Sequence, residues 1–244
     1  MTVSIPMPGP LQPGRYLQRP NQFTLRVRLD LTGEIVLAHL PDPGRLVDLL
    51  VENARIWLQQ VNDPSRKTQW TAIVAQDVES NVLVSVDTRL PNELVAAAIA
   101  ADELEEIDGW TLVKREATIG RSRFDFLLET VSGEQMALEV KGVTLVKQGI
   151  AMFPDAPSDR AVKHLRELAD IAQQPGWGAT ALFLVQRIDA AKVMAARHID
   201  RDFADALADA ARAGVRLVAR RCQLTLEEMA LGNSIPVDPA LHRH

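Results

Sequence analysis

R-S-R-F-D-F-L-L-E at residues 121–129 and M-A-L-E-V-K at residues 136–141 are apolar runs separated by a short turn at Ser132-Gly133. Two such runs around a glycine-containing turn predict a β-hairpin. Side chains on a strand alternate between faces, so Glu139 and Lys141 share one face while Met136, Leu138 and Val140 take the other. Asp125, between Phe124 and Phe126, is likewise opposed to its apolar neighbours. The hairpin therefore predicts that Asp125, Glu139 and Lys141 converge on one spot of an otherwise apolar sheet.

An acid on one strand and E-x-K on the next is the pattern of the PD-(D/E)xK nuclease fold. There two carboxylates hold a divalent cation, and the lysine polarises water or the scissile phosphate. E-x-K alone arises by chance, and a cross-strand acid and lysine often form only a solvated ion pair. Asp125 on the preceding strand is what lifts the pattern above that background. The dipeptides Pro41-Asp42 and Pro154-Asp155 lie in proline-rich turn sequence and are read as turn formers.

The chain has 244 residues, 47% hydrophobic and 24% charged, an ordinary composition for a folded protein with a full core. No apolar run reaches the ~20 residues of a membrane span. Residues 1–14 are rich in proline and lack both a basic start and an apolar stretch, so no secretory signal is expected. A cytoplasmic protein is the expectation. The single cysteine, Cys222, excludes an internal disulfide and a thiolate metal site, and it is read as a core or strand thiol. Residues 1–85 carry 8 basic and 8 acidic residues, whereas residues 86–244 carry 19 and 24. A broad basic footprint is absent, so any nucleic-acid surface must be a local patch.

Strand-like runs at 22–31, 34–40, 54–61, 69–77 and 81–86 predict a small Greek-key barrel, OB-like in its five strands and one inserted helical turn. An SH3-like barrel fits the same runs. From Asn92, a candidate helix cap, the apolar period becomes helical; a strand at 111–117, the hairpin and a loop at 142–157 follow. Ser158 caps the next helix, with Leu165, Leu168, Ala169 and Ala172 as its apolar face. Residues 179–185 form a buried strand, and a helix over 203–213 ends at Gly214 before a strand at 215–221. The expectation is thus a two-domain α+β chain: an OB-like barrel over 1–86 and a nuclease-like α/β domain over 87–244. Residues 87–91 are the linker candidate.

Several phrases read together carry a resemblance: A-H-L-P-D-P-G-R-L (38–46), D-T-R-L-P-N (87–92), S-R-F-D-F-L-L (122–128), L-E-V-K-G-V-T-L-V (138–146), F-P-D-A-P (153–157) and L-F-L-V-Q-R (182–187). The chain resembles the sugar fermentation stimulation protein A family from about residue 15 to 237. That resemblance implies an N-terminal OB domain, a PD-(D/E)xK nuclease-like domain, DNA binding and a regulatory link to sugar utilisation. Carried over residue by residue, the motif gives Asp125, Glu139 and Lys141; Phe124 replaces its leading proline. The family phrase E-x-x-x-G-x-S-R-F-D adds Glu116 as a further acid, with an ion pair to Arg115 or Arg123 as the competing reading. Gln186 corresponds to a position where some relatives place a site glutamine. The candidate phosphate contacts are Arg45, Arg66, Lys67, Arg89, Arg121 and Arg123.

Asp125, Glu139 and Glu116 as an oxygen-only set imply Mg²⁺ or Mn²⁺. No histidine is required: His39 is read as packing in the turn after it, and His164, beside Lys163 and Arg166, as lying on a solvated helix face. Two functions stay open at this point. One is a metal-dependent DNA endonuclease or exonuclease; the other is a non-catalytic DNA-binding regulator that uses the nuclease-like domain as scaffold. DNA is the expected partner, a membrane is not, and a homodimer is left open. A small-molecule enzyme of sugar metabolism finds no support, since no Gly-rich phosphate loop and no nucleophile with a paired base is present.

Overall fold

The computed structural model describes residues 3–239. The chain opens with β1 (Ser4–Pro6), β2 (Leu11–Asn21), β3 (Thr24–Leu29), β4 (Ile35–His39), β5 (Arg55–Gln60), β6 (Trp70–Gln76) and β7 (Leu83–Ser85). Strands β2 to β6 close into a barrel in the order β4-β3-β2-β5-β6, with β4 also pairing β6. This is the expected OB-type barrel, but its first strand is one the sequence hides. Pro13 and Pro20 lie in β2, and proline removes a ladder donor. Strand β3 shows why the barrel holds: Leu25, Val27 and Leu29 point inward while Arg26 and Arg28 face out.

After the barrel come α1 (Leu90–Ala100), β8 (Thr111–Ile119), β9 (Ser122–Glu129), β10 (Gln135–Val143), β11 (Leu145–Lys147), β12 (Ile150–Phe153) and α2 (Asp159–Ala172). They are followed by β13 (Trp177–Val185), β14 (Lys192–Ala195), α3 (Arg201–Arg212), β15 (Arg216–Leu224), β16 (Glu228–Ser234) and β17 (Val237–Asp238). A seven-stranded sheet runs β1-β16-β15-β13-β10-β9-β8, with β10, β13 and β15 parallel. Strand β13 is continuously apolar because both faces of the parallel centre are covered. Leu165, Leu168, Phe183, Phe203 and Leu207 fill one side of the sheet, under α2 and α3. Leu94, Val95, Phe126, Leu138 and Leu182 fill the other, under α1.

Four expectations need correction. The segment 142–157 is not a loop: β11 and β12 pair there and join β14 and β17 in a small second sheet. A division at residue 86 leaves out β1, which pairs with β16 in the second domain's sheet. Residues 87–91 are no loose linker, because Asp87 is fully buried and bonds the Arg89 backbone and guanidinium. Asn92 lies inside the first turn of α1 rather than capping it, since the cap is Arg89 and Pro91 occupies the opening turn. Ser158 does cap α2, accepting from the Ala161 N–H at 3.2 Å.

The two domains are packed together, which matters for the site between them. Trp57, Ile73 and Val74 of the barrel belong to the core under α1, and burying each such side chain stabilises the contact by about 1.5–3 kcal/mol. Arg187, 2% exposed and just past β13, pairs with Asp77 of the barrel at 3.0 Å and with Asp189 at 2.6 Å. Among the described residues no helix is long and apolar enough to cross a membrane.

Candidate active site

The hairpin of β9 and β10 forms where the sequence predicts it, but Asp125 reaches its place by a break in pairing. The ladder between the strands ends at Phe126 opposite Leu138. Beyond it the Val140 N–H donates to Asp125 Oδ2 at 2.7 Å instead of to a strand carbonyl. The local pleat is disturbed accordingly. Phe124 packs under α2 beside His164, while Phe126 packs under α1. Asn92 on α1 donates to Asp125 Oδ1 at 2.7 Å, so both carboxylate oxygens are fixed from different elements.

Glu139 and Lys141 share a face of β10 as expected, and Lys141 Nζ donates to Glu139 Oε1 at 2.7 Å. The same oxygen meets His164 Nδ1 at 2.5 Å. His164 is therefore not on a solvated face: it is 4% exposed and packs against the Phe124 ring. Burial pushes the Glu139 carboxyl up, but the His164 hydrogen bond and the Lys141 charge outweigh it and hold it below the usual range. Glu139 is thus ionised and acceptor-only, so the proton on this contact sits on His164 Nδ1. Two donors crowd Oε1 while Oε2 is buried with no partner. Asp125 is shifted the other way, up, by burial and then by the Glu139 charge.

Asn92, Asp125, Glu139 and Lys141 line a cavity of about 420 Å³ between the barrel and the second domain. Gln186, 1% exposed, lines it from the end of β13, with its Oε1 buried and unpartnered. Gly142 makes room for it, since a Cβ there would stand 2.9 Å from Gln186 Nε2. Asp42 and Asp155, read as turn formers, also reach the cavity. Asp42 does make its turn, accepting from the Gly44 N–H at 2.7 Å, and Asp155 Oδ2 takes the Leu46 N–H at 3.3 Å. Arg19 ties this loop down by donating to the carbonyls of Gln22 and Gly44, both at 2.7 Å. Burial, together with the Asp155 charge, pushes Asp42 up to about 6, and burial raises Asp155 as well.

Four carboxylates thus share the cavity with Lys141 and Arg160, the only cationic lining among the described residues. Glu116 is not among them. It stands at φ +53° on β8, more than half exposed, in an ion pair with Arg123 at 3.0 Å. None of the candidate phosphate contacts lines the cavity. Arg45 lies between β4 and β5, Arg66 and Lys67 between β5 and β6, Arg89 before α1, and Arg121 and Arg123 about the β8–β9 turn. Arg89 and Arg123 are already paired with Asp87 and Glu116. Sequence reasoning missed His164, Asn92, Asp42 and Asp155. For His164 a signal existed, because Ala161, His164, Leu165 and Leu168 fall at helical spacing on one buried face.

Comparison with known proteins agrees with this architecture. Residues 17–86 match the SfsA N-terminal OB domain family, and residues 89–228 match the sugar fermentation stimulation protein RE domain family. A sugar fermentation stimulation protein homolog of Shouchella clausii is 44% identical over 228 residues, covering 93% of this chain and 97% of that protein. A homolog of Clostridium botulinum is 36% identical over 223 residues, covering 91% and 95%. The structure of Pyrococcus furiosus SfsA in complex with Ca²⁺ superposes with a TM-score of 0.84 at 27% identity, covering 98% of each chain. The chain belongs to the sugar fermentation stimulation protein family.

Proposed function

We propose that the chain is a metal-dependent nuclease that hydrolyses phosphodiester bonds of DNA in this cavity. One observation carries the reading: Glu139 Oε2 is buried, unpartnered and ionised, beside Asp125 and Lys141. A buried charged oxygen without a donor is costly unless a cation meets it. Among the described residues no three His, Cys, Asp or Glu side chains form a ready cluster. Two carboxylates nevertheless suit Mg²⁺ or Mn²⁺, which bind through one or two protein carboxylates and keep several waters. The donors present fit such an ion: Asp125 and Glu139 would hold it, with Gln186 Oε1 as a further oxygen. Glu116 stands outside this set. The Ca²⁺ held by the Pyrococcus furiosus relative supports an oxygen-ligand site in the family.

When bound, the cation would activate water and neutralise charge on the phosphate. The chain's own residues do the rest. Asn92 and the Val140 N–H fix the Asp125 carboxylate, and His164 fixes Glu139. Lys141, 10% exposed on its side chain, is held at the cavity wall by Glu139. From there its ammonium can lean toward a phosphate oxygen or orient the attacking water, where a positioned charge stabilises the transition state strongly. The test is single-turnover cleavage of single-stranded, duplex and branched DNA with Mn²⁺, using wild type, Asp125→Asn and Lys141→Ala from identical preparations. Cleavage by the wild type alone supports the reading. Equal rates in all three, or no cleavage of any DNA form, would sink it.

A further inference from the structure

Helix α2 brings two cavity-side groups to the site one turn apart, and only one of them has a partner. His164 holds Glu139 Oε1. Arg160 stands four residues earlier, so the two share a helix face with their Cβ atoms about 6 Å apart. At the open end of that face Arg160 lines the cavity. Its side chain is exposed, and among the described residues it has no ion pair and no hydrogen bond. Four carboxylates line the same cavity, yet none meets it. Lys141, the other cation of the lining, is engaged by Glu139 at 2.7 Å.

The backbone that carries Arg160 is nevertheless tightly held. Ser158 Oγ caps α2, and the Ser158 N–H donates to Asp200 Oδ2 at 2.9 Å. Asp200 is 7% exposed, and its other oxygen caps α3 by accepting from the Phe203 N–H at 2.9 Å. One buried carboxylate therefore ties the starts of both helices together. A fixed root with an unpartnered charged end is the arrangement of a group kept for a ligand, because its place is set before the ligand arrives.

The chemistry of the lining says which ligand. A nucleic-acid strand brings a negative charge at every link. The cation that Asp125 and Glu139 would hold, together with Lys141, can neutralise the link that is cut. The next link then lies against a wall whose remaining ionisable groups are Asp42, Asp155 and Arg160. Only the guanidinium among them is positive, and its planar fork matches two phosphate oxygens at once. We propose that Arg160 is a substrate-binding residue that takes the phosphate adjoining the scissile one, leaving Lys141 for the phosphate that is cut. The proposal rests on DNA being the substrate of the cavity.

The experiment is fluorescence anisotropy of a labelled hairpin duplex and of labelled oligo-dT across a salt series, once with Ca²⁺ in place of Mn²⁺ and once with EDTA. It compares the full-length wild type with Arg160→Ala, Arg160→Lys and Arg201→Ala, the last removing an exposed charge at the start of α3. With Ca²⁺, Arg160→Ala should bind the preferred DNA about tenfold more weakly, the loss of one charged hydrogen-bonded contact. The slope of log K against log salt should fall by about 0.7 to 0.9, one phosphate's share. Arg160→Lys should keep the slope and recover only part of the affinity, since a point charge replaces the fork. With EDTA, wild type and Arg160→Ala should agree, because the uncompensated acids keep the strand out of the cavity. Arg201→Ala should match wild type in both conditions, and every variant should keep the wild-type Tm. In single-turnover cleavage with Mn²⁺, Arg160→Ala should raise the half-saturating DNA concentration about tenfold, more than it lowers the rate at saturation. Unchanged affinity with Ca²⁺, an equal loss with EDTA, or a loss confined to the rate at saturation would each overturn the proposal. Arg160-dependent binding with Ca²⁺ by a chain that cuts no DNA would uphold this contact while ending the nuclease reading.

Discussion

Two carboxylate pairs face one cavity and are built in opposite ways. Asp125 and Glu139 are held by side chains from other elements: Asn92 on α1, Lys141 on β10 and His164 on α2. Asp42 and Asp155 are held chiefly by backbone N–H groups of one barrel loop, those of Gly44 and Leu46. In the first pair Glu139 is ionised with one oxygen left open, while burial and the Glu139 charge push Asp125 up. In the second, both acids are pushed toward the neutral form, Asp42 to about 6. Acids close in space are therefore not equivalent ligands. Donors that arrive from the side leave a charged oxygen for a cation, while at the joint burial outweighs the Arg19 charge and favours the proton.

The largest effect that would sharpen this contrast is on turnover. Lys141→Ala should lower single-turnover cleavage with Mn²⁺ by about 10²–10³-fold, the range seen when one preorganised transition-state contact is lost, with DNA affinity nearly unchanged. A tenfold or greater loss of affinity would instead make Lys141 a binding residue. Next comes His164→Ala, which removes the buried donor that offsets Glu139's charge. It should destabilise the fold by about 2–4 kcal/mol in urea unfolding and weaken Mn²⁺ binding about 10–100-fold, as loss of a supporting hydrogen bond does at metal sites. A stable variant with intact Mn²⁺ affinity would show that Lys141 alone orients Glu139.

The second pair makes a smaller and opposite prediction. The folded-state pKa of Asp42 is raised, so its favourable contribution is complete below the unfolded value of 3.8 and is lost as pH rises through about 6. Asp42→Asn keeps an oxygen for the Gly44 N–H and has no charge to bury. It should stabilise the protein by about 1–3 kcal/mol at pH 8, with the gain shrinking as pH falls and nearly gone at pH 4. A destabilised Asn variant at pH 8 would mean that this carboxylate meets a cation after all. The smallest effect belongs to Glu116. It lies outside the cavity in an ion pair with Arg123, two exposed side chains, so Glu116→Ala should change Mn²⁺ affinity less than about twofold and stability by under about 1 kcal/mol.

What could be read in advance followed from local chemistry. The Ser132-Gly133 turn, the E-x-K alternation and the Ser158 cap are decided by neighbours in sequence, and each stands where it was expected. The barrel's first strand was hidden by Pro13 and Pro20, and β11 and β12 by their shortness about the turn at Gln148-Gly149, both at positive φ. Asp125 obeyed the motif but not the pleat, because its carboxylate replaces a ladder bond. Asp42 and Asp155 lie more than a hundred residues apart and meet only because the domains dock. Arg15 stands opposite both Arg28 and Arg55 only through the β2–β3 and β2–β5 registers together, which no single segment encodes. Local signals thus named the hairpin acids, while tertiary packing supplied their partners.

The central claim is that one acid pair takes the cation and the other does not. Calorimetric titration of Mn²⁺ into wild type, Asp125→Asn and Asp155→Asn, each checked for its fold, measures this directly. The account predicts that wild type and Asp155→Asn bind with similar affinity while Asp125→Asn loses the binding. Equal affinity in wild type and Asp125→Asn, or loss in Asp155→Asn alone, would contradict it.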